Sequence, residues 1–303
     1  MAIHDQLAYS ERTTLLEAVR RRIAEDFALD CGSAGQGRVD GAFLHHFEAP
    51  GKQTRPTLTI EASRALGLDA GVAVGFGACI EALHNASLVQ DDLQDCALER
   101  RGRPSIHSLF GKDVALGLAT RLVSAAFLSL STASRLLASP SGEGELGVLA
   151  TGRAHRAISE TIDGQSRDLD PRADRSVENL LTIARQKSGP LFSLALELPL
   201  IAAGHLASLE RAREAACRLG LGYQIIDDVK DRQIDRLQAA DANIVNALAQ
   251  SAGPDEACRQ AIDLARSELA RSRELAAGLP SSSGAHLRAM ADDLLDHLKN
   301  HRE

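Results

Sequence analysis

The sequence predicts an all-α protein, a bundle of about ten or more long helices, on three observations. Apolar residues make up 44% of the chain, but aromatics only 3%, with two Tyr and no Trp. A core of Ala and Leu favours helices over sheets. Apolar residues recur at three- and four-residue spacing, as in Leu15, Leu16, Val19 and Ile23, and again from Leu206 and Leu209 to Ile226. Helix breakers punctuate the chain at intervals of helical length.

Taken in order, the breakers fall at Gly32 to Gly37, Pro50-Gly51, Gly67 to Gly71, Arg101 to Pro104, Ser139 to Gly147, Pro171, Gly253-Pro254 and Pro280 to Gly284. About ten helical segments lie between them, with no alternating strand pattern. No low-complexity linker divides the 303 residues, so one domain spanning 1–303 is expected. The segments 73–98, 113–138 and 207–235 are apolar on more than one face, which predicts that they line the centre of the bundle.

Composition narrows the function. A net charge of −7 argues against non-specific nucleic-acid binding and against a polybasic membrane surface. Cys31, Cys79, Cys96, Cys217 and Cys258 are scattered without a CxxC pair, as expected of reduced thiols rather than a disulfide frame or zinc site. The N-terminal stretch mixes acids and bases and has no apolar signal region. No apolar run reaches the roughly 18 residues of a membrane span. A cytoplasmic location is the expectation.

Two acidic clusters stand out against this apolar background. Asp91, Asp92 and Asp95 end the run EALHNASLVQDDLQD, and Asp227, Asp228 and Asp231 end GLGYQIIDDVKD. Both have the form DDxxD. Positions i and i+4 stack one turn apart, so Asp91 projects with Asp95, and Asp227 with Asp231. Carboxylates crowded at the end of a buried helix repel one another and are costly to desolvate without a cation. Magnesium suits them, because it accepts one or two carboxylates and completes its octahedron with water and phosphate oxygens. Basic residues suited to phosphate accompany the clusters: Lys52 and Arg55 in GKQTRP, Arg100 and Arg101 in ERRGRP, and Lys187 opening KSGPLF. Together they describe a cavity for magnesium and more than one diphosphate.

In this order the motifs resemble those of the trans-isoprenyl diphosphate synthase (polyprenyl synthetase) family over roughly Gly51 to Asp231. GKQTRP is similar to its GKxxRP, HNASLVQDDLQDCALERRGRPSIH to its first aspartate-rich motif, DGQSRDLD to its GQxxDL segment, KSGPLF to its KT-type segment, and GYQIIDDVKD to its second motif. The resemblance implies an isoprenoid synthase fold, a bundle around a central cavity, usually in a homodimer. It implies that isopentenyl diphosphate binds Lys52, Arg55, His84 and Arg101. The allylic diphosphate would bind Arg100, Lys187 and Ser188, with magnesium, three ions when substrate is bound, on Asp91, Asp95, Asp227 and Asp231. Asp92 and Asp228 join the catalytic set, and Gln165 and Gln224 line the same cavity. Ala86, Ser87 and Leu83, one to two turns before Asp91, would face the growing chain. Family members with short products carry bulky aromatics there, so these small residues imply geranylgeranyl diphosphate or longer.

The sequence also departs from the family. Thr120 stands where an Asp is usual, Gln90 where a His commonly precedes the Asp pair, and RQIDRLQAADANIVNAL replaces a lysine-bearing loop after the second motif. Two other functions stay open. A terpene cyclase on the same scaffold would need aromatic faces for its cations, which this chain lacks. A non-catalytic subunit of a hetero-oligomeric synthase could dispense with the aspartates, all six of which are present.

Overall fold

The computed structural model describes residues 3–28, 37–49, 51–137, 144–237 and 243–300. The breakers expected at 32–36, Pro50 and 139–143 lie outside the described residues, as do Cys31 and positions 238–242 of the loop after the second motif. Contacts gather into two compact units, Met1–Thr151 and Gly152–Glu303. The described residues hold twelve α-helices and one two-residue antiparallel ladder, so the all-helical expectation holds.

The first unit comprises α1 (Ile3–Ala28), α2 (Arg38–Glu48), α3 (Thr54–Ala65), α4 (Ala70–Gln94), the hairpin β1 (Glu99–Arg100) and β2 (Arg103–Pro104), α5 (Ile106–Phe110) and α6 (Lys112–Leu136). α4 is its axis. The Asp69 side chain caps it by accepting from Gly71 N–H at 2.7 Å. Missing side chains let neighbours close on it. A Cβ at Gly75 would meet the Ala133 methyl of α6 at 2.7 Å, and one at Gly77 would meet Val19 of α1 at 2.9 Å. Phe76 and Ile80, with Leu118, Leu122 and Leu130 of α6, are fully buried. Each such side chain contributes about 1.5–3 kcal/mol.

The sequence reading is right about α4 and needs correction for α6. α6 buries one face only, since Leu116, Leu128 and Leu136 stay exposed. Both helices are also long and apolar enough to cross a membrane by length and composition, contrary to the sequence reading. In α4 78% and in α6 50% of the apolar window is buried within the protein, as the core helix of a bundle can also be.

The second unit takes in most of α7 (Gly144–Leu169), then α8 (Val177–Ala202), α9 (Leu209–Leu237), α10 (Ile244–Ala252), α11 (Pro254–Ala277) and α12 (Ala285–Asn300). Its axis is α8, buried without a break from Gly189 to Ile201 although Pro190 and Pro199 lie inside it. α9, expected to be apolar on several faces, is amphipathic in its first half: Glu210, Arg211 and Glu214 face outward while Ala212, Ala215, Ala216 and Leu219 pack inward. Gly220 of α9 lies against Ser188 and Gly189 of α8, where a Cβ would come within 3.1 Å of backbone. That close approach joins the KSGPLF segment to the helix of the second aspartate cluster.

Candidate active site

Each unit carries one DDxxD cluster, and the two are built alike. α4 ends at Gln94, and Asp95, its C-cap, keeps helical dihedrals with its N–H on Asp91 O at 2.9 Å. Asp91 and Asp95 therefore stay on one face, as the spacing predicts. Asp95 is exposed, and the Asp91 side chain is 34% exposed. Asp92 turns inward. Its side chain is 3% exposed and held by Arg100, whose Nε lies 2.7 Å from both carboxylate oxygens and whose Nη2 lies 2.6 Å from Oδ1. Arg100 Nη2 also reaches Asp91 Oδ2 at 3.4 Å. Burial pulls the Arg100 pKa down, but the Asp92 hydrogen bond and the charges of Asp92, Asp91 and Asp95 outweigh it and raise it.

In α9 the pattern recurs. Asp227 is part-exposed, with Lys230 Nζ 3.3 Å away, and Asp231 is exposed. Asp228 is 8% exposed. Its Oδ2 accepts the backbone N–H of Ile244 at 2.9 Å, and its Oδ1 accepts from Gln224 Nε2 at 3.0 Å. Asp228 thus caps the start of α10, whose own N-cap Asn243 donates to the Asp228 carbonyl at 2.8 Å. In both clusters the middle aspartate is buried and anchors structure, the aspartate before it is part-exposed and the last one is exposed.

The cations of the first unit gather beside α4. Arg55, in the first turn of α3, has Nη1 3.3 Å from His84 Nε2. A guanidinium only donates, so His84 accepts there and carries its proton on Nδ1. Burial and the charges of Arg55, Arg101 and Arg100 hold its pKa well below 6.5, so the ring is neutral. Behind it His46 Nε2 donates to Asn85 Oδ1 at 2.9 Å, and Asn85 Nδ2 donates to the Glu81 carboxylate at 3.0 Å. His46 is pushed down to about 4, chiefly by burial, and burial raises Glu81. Lys52 is exposed in the loop before α3. Arg101, in the hairpin turn, donates from Nη1 to Ala49 O at 2.6 Å.

Of the positions expected to face a growing chain, Ser87 lies roughly 40° round α4 from Asp91, and Ala86 roughly 140°. Accordingly Ser87 is part-buried, with its hydroxyl on His84 O, while Ala86 and Leu83 are buried at 2% and 4%. Thr120 is exposed on α6 and bonds its own helix at Leu116 O.

In the second unit Lys187 of α8 is ion-paired with Asp168 of α7, and Ser188 Oγ donates to Gln224 Oε1 at 3.4 Å. Gln165 is half-buried one turn before Asp168. Arg175 completes the group, donating to Asp168 O at 2.7 Å, with Nη1 3.6 Å from its Oδ1. Sequence reasoning passed over Asp168 and Arg175. The acid of the GQxxDL segment was the signal for the first, and nothing marked the second.

Among the described residues no three His, Cys, Asp or Glu side chains form a closed cage for a metal. A part-exposed and an exposed carboxylate one turn apart do suit magnesium, which takes one or two carboxylates and leaves the rest of its octahedron to water and phosphate.

The chain matches the Polyprenyl synthetase family over residues 37–240. It is 31% identical over 287 residues to the geranylgeranyl diphosphate synthase of Pantoea ananas, covering 88% of this chain and 89% of that protein. It is 33% identical over 193 residues to the geranylgeranyl pyrophosphate synthase of Geoglobus acetivorans, covering 63% of this chain. The match spans only 58% of that archaeal protein's length, and 65% of the geranylfarnesyl diphosphate synthase of Aeropyrum pernix. In fold it is similar to the geranylgeranyl pyrophosphate synthetase structure from Pyrococcus horikoshii, with a TM-score of 0.81 at 21% identity over 99% of this chain and all of that one. The chain belongs to the polyprenyl synthetase family and has the isoprenoid synthase fold.

Proposed function

We propose that this protein is a trans-prenyltransferase that condenses isopentenyl diphosphate head-to-tail with an allylic prenyl diphosphate, giving a linear product of geranylgeranyl length or longer. We read residues 1–303 as one polyprenyl synthetase domain, acting as a cytoplasmic homodimer with magnesium, three ions when substrate is bound. The observation that carries the reading is the shared construction of the two DDxxD clusters. In each, a buried middle aspartate is locked by the protein while its neighbours stay part-exposed or exposed, at the end of α4 in one case and within the last three turns of α9 in the other. Family membership supports the substrate class, and the names of the Pantoea and Aeropyrum relatives support the product length.

Asp91, Asp95, Asp227 and Asp231 would hold the metal, which supplies neutralising charge to the leaving diphosphate. Lys187 and Arg100 hold the allylic diphosphate, with Ser188, Gln165 and Gln224 around it. Lys52, Arg55, His84 and Arg101 hold that of isopentenyl diphosphate. Because His84 is neutral with its proton on Nδ1, it contributes directional hydrogen bonding without adding to the charge of the neighbouring arginines. Cleavage of the allylic C–O bond leaves a carbocation, which the double bond of isopentenyl diphosphate attacks when the two are held in contact. The proton then lost goes to the departed diphosphate, so no side-chain base is assigned.

Incubating the pure protein with magnesium, isopentenyl diphosphate and each allylic primer tests the reading. Linear prenyl diphosphates are expected. Hydrocarbon or alcohol products would make it a cyclase, and turnover only with an added subunit would make it a partner protein.

A further inference from the structure

Arg101 occupies a conformation that arginine disfavours. It and Gly102 are the two central residues of the hairpin turn, with φ of +55° and +72°, as a type I′ turn requires. Gly, Asn and Asp take the first of these positions readily, whereas a long side chain there is strained and persists only where its surroundings fix it. Three features do so. Arg103, across the turn, donates from Nη1 to His45 O and from Nη2 to His45 Nδ1, both at 3.1 Å, and pairs with Glu48 Oε2 at 2.6 Å. His45 Nε2 in turn donates to Pro104 O at 2.9 Å. This ring is therefore fixed as the Nε2–H tautomer, accepting on one nitrogen and donating from the other. Finally, the Arg101 guanidinium lies over Gly51, where a Cβ would come within 2.9 Å of Cζ. The last turn of α2 and the bare backbone of GKQTRP together form a clasp for one guanidinium.

We propose that His45, Arg103 and Gly51 are positioning residues for Arg101, setting affinity for the second diphosphate without touching it. The inference rests on the prenyltransferase reading. Arg100 is secured separately by Asp92, so the allylic side of the site does not depend on the clasp. Adding a methyl at Gly51 displaces only the far end of a flexible side chain. Gly51→Ala therefore moves Arg101 while leaving the loop folded.

The test compares Gly51→Ala, Arg103→Ala, His45→Leu and His45→Gln with the wild type. Steady-state kinetics are measured in each substrate, and calorimetric binding of inorganic diphosphate in magnesium. The first three should raise KM for isopentenyl diphosphate about tenfold or more, as when a charge-assisted hydrogen bond is lost. KM for the allylic primer should stay within about twofold. Gln accepts and donates as the ring does, so His45→Gln should keep wild-type values. Unchanged constants in Gly51→Ala and Arg103→Ala, equal rises for both substrates, or a Leu variant matching the Gln variant would overturn the clasp. If the wild type binds diphosphate without turnover, the function is wrong and the clasp is judged on binding, which the same three variants should weaken about tenfold. A wild type that neither turns over nor binds overturns both.

Discussion

Replacing each aspartate of the second cluster separates anchoring from chemistry. In Asp228→Ala the Ile244 N–H loses the acceptor it has at 2.9 Å, and Ile244 is 1% exposed. An orphaned buried donor costs about 1–3 kcal/mol. The same substitution removes a negative charge from the start of α10, worth about 0.3–1 kcal/mol or more when partly buried, and leaves Gln224 Nε2 without its partner at 3.0 Å. The sum is about 3 kcal/mol, which should lower Tm by roughly 5 °C. Asn can still accept from Ile244, so Asp228→Asn should lose only about 1 kcal/mol. Asp227 is part-exposed and its i,i+3 pairing with Lys230 is a surface ion pair, so Asp227→Ala should leave Tm within about 2 °C while turnover falls at least about a hundredfold, as when an electrostatic stabiliser is removed. Circular dichroism melts and turnover at saturating magnesium read the two effects. An Asp228→Ala protein with the wild-type Tm, or an Asp227→Ala protein with near-native turnover, would refute the division of roles.

The other expectations follow the same geometry. Arg55→Ala and His84→Ala should raise KM for isopentenyl diphosphate more than for the primer, and Lys187→Ala the reverse; equal effects on both substrates would remove the two-site assignment. Ser87→Phe should shorten the product, read by chromatography after dephosphorylation. Ala86→Phe, on the buried face, should cost about 1–3 kcal/mol by overpacking, and an unchanged product with Ser87→Phe places the floor elsewhere. His46 has a folded pKa of about 4, below its unfolded 6.5. Its contribution to stability is therefore complete above pH 6.5 and is lost as pH falls towards 4. Urea titrations of His46→Gln should show a shallower decline across that window, and an identical slope would exclude His46 as the source.

The sequence by itself determined the helical class, because a 3.6-residue apolar period needs no knowledge of partners. The two carboxylate clusters at the ends of apolar runs were legible in the same way, and with the basic residues near them in the chain they carry the proposal of a metal and diphosphate site. α4 was legible for the same reason, being apolar on nearly every side. Only the tertiary structure decided which aspartate of each trio turns inward. Asp92 is chosen by Arg100 of the hairpin that follows α4, and Asp228 by the N–H of Ile244, sixteen residues further along. Spacing along one helix fixes angles within it but not which neighbour lies at each angle. The same limit hid the exposed face of α6, the unbroken burial of α8 from Gly189 to Ile201, and the separation of Ser87 from Ala86. It hid Arg175 and the grip of Arg103 on His45 as well. An arginine reads as a surface charge until the fold brings an acceptor to it, and that partner is set by packing between elements distant in the chain.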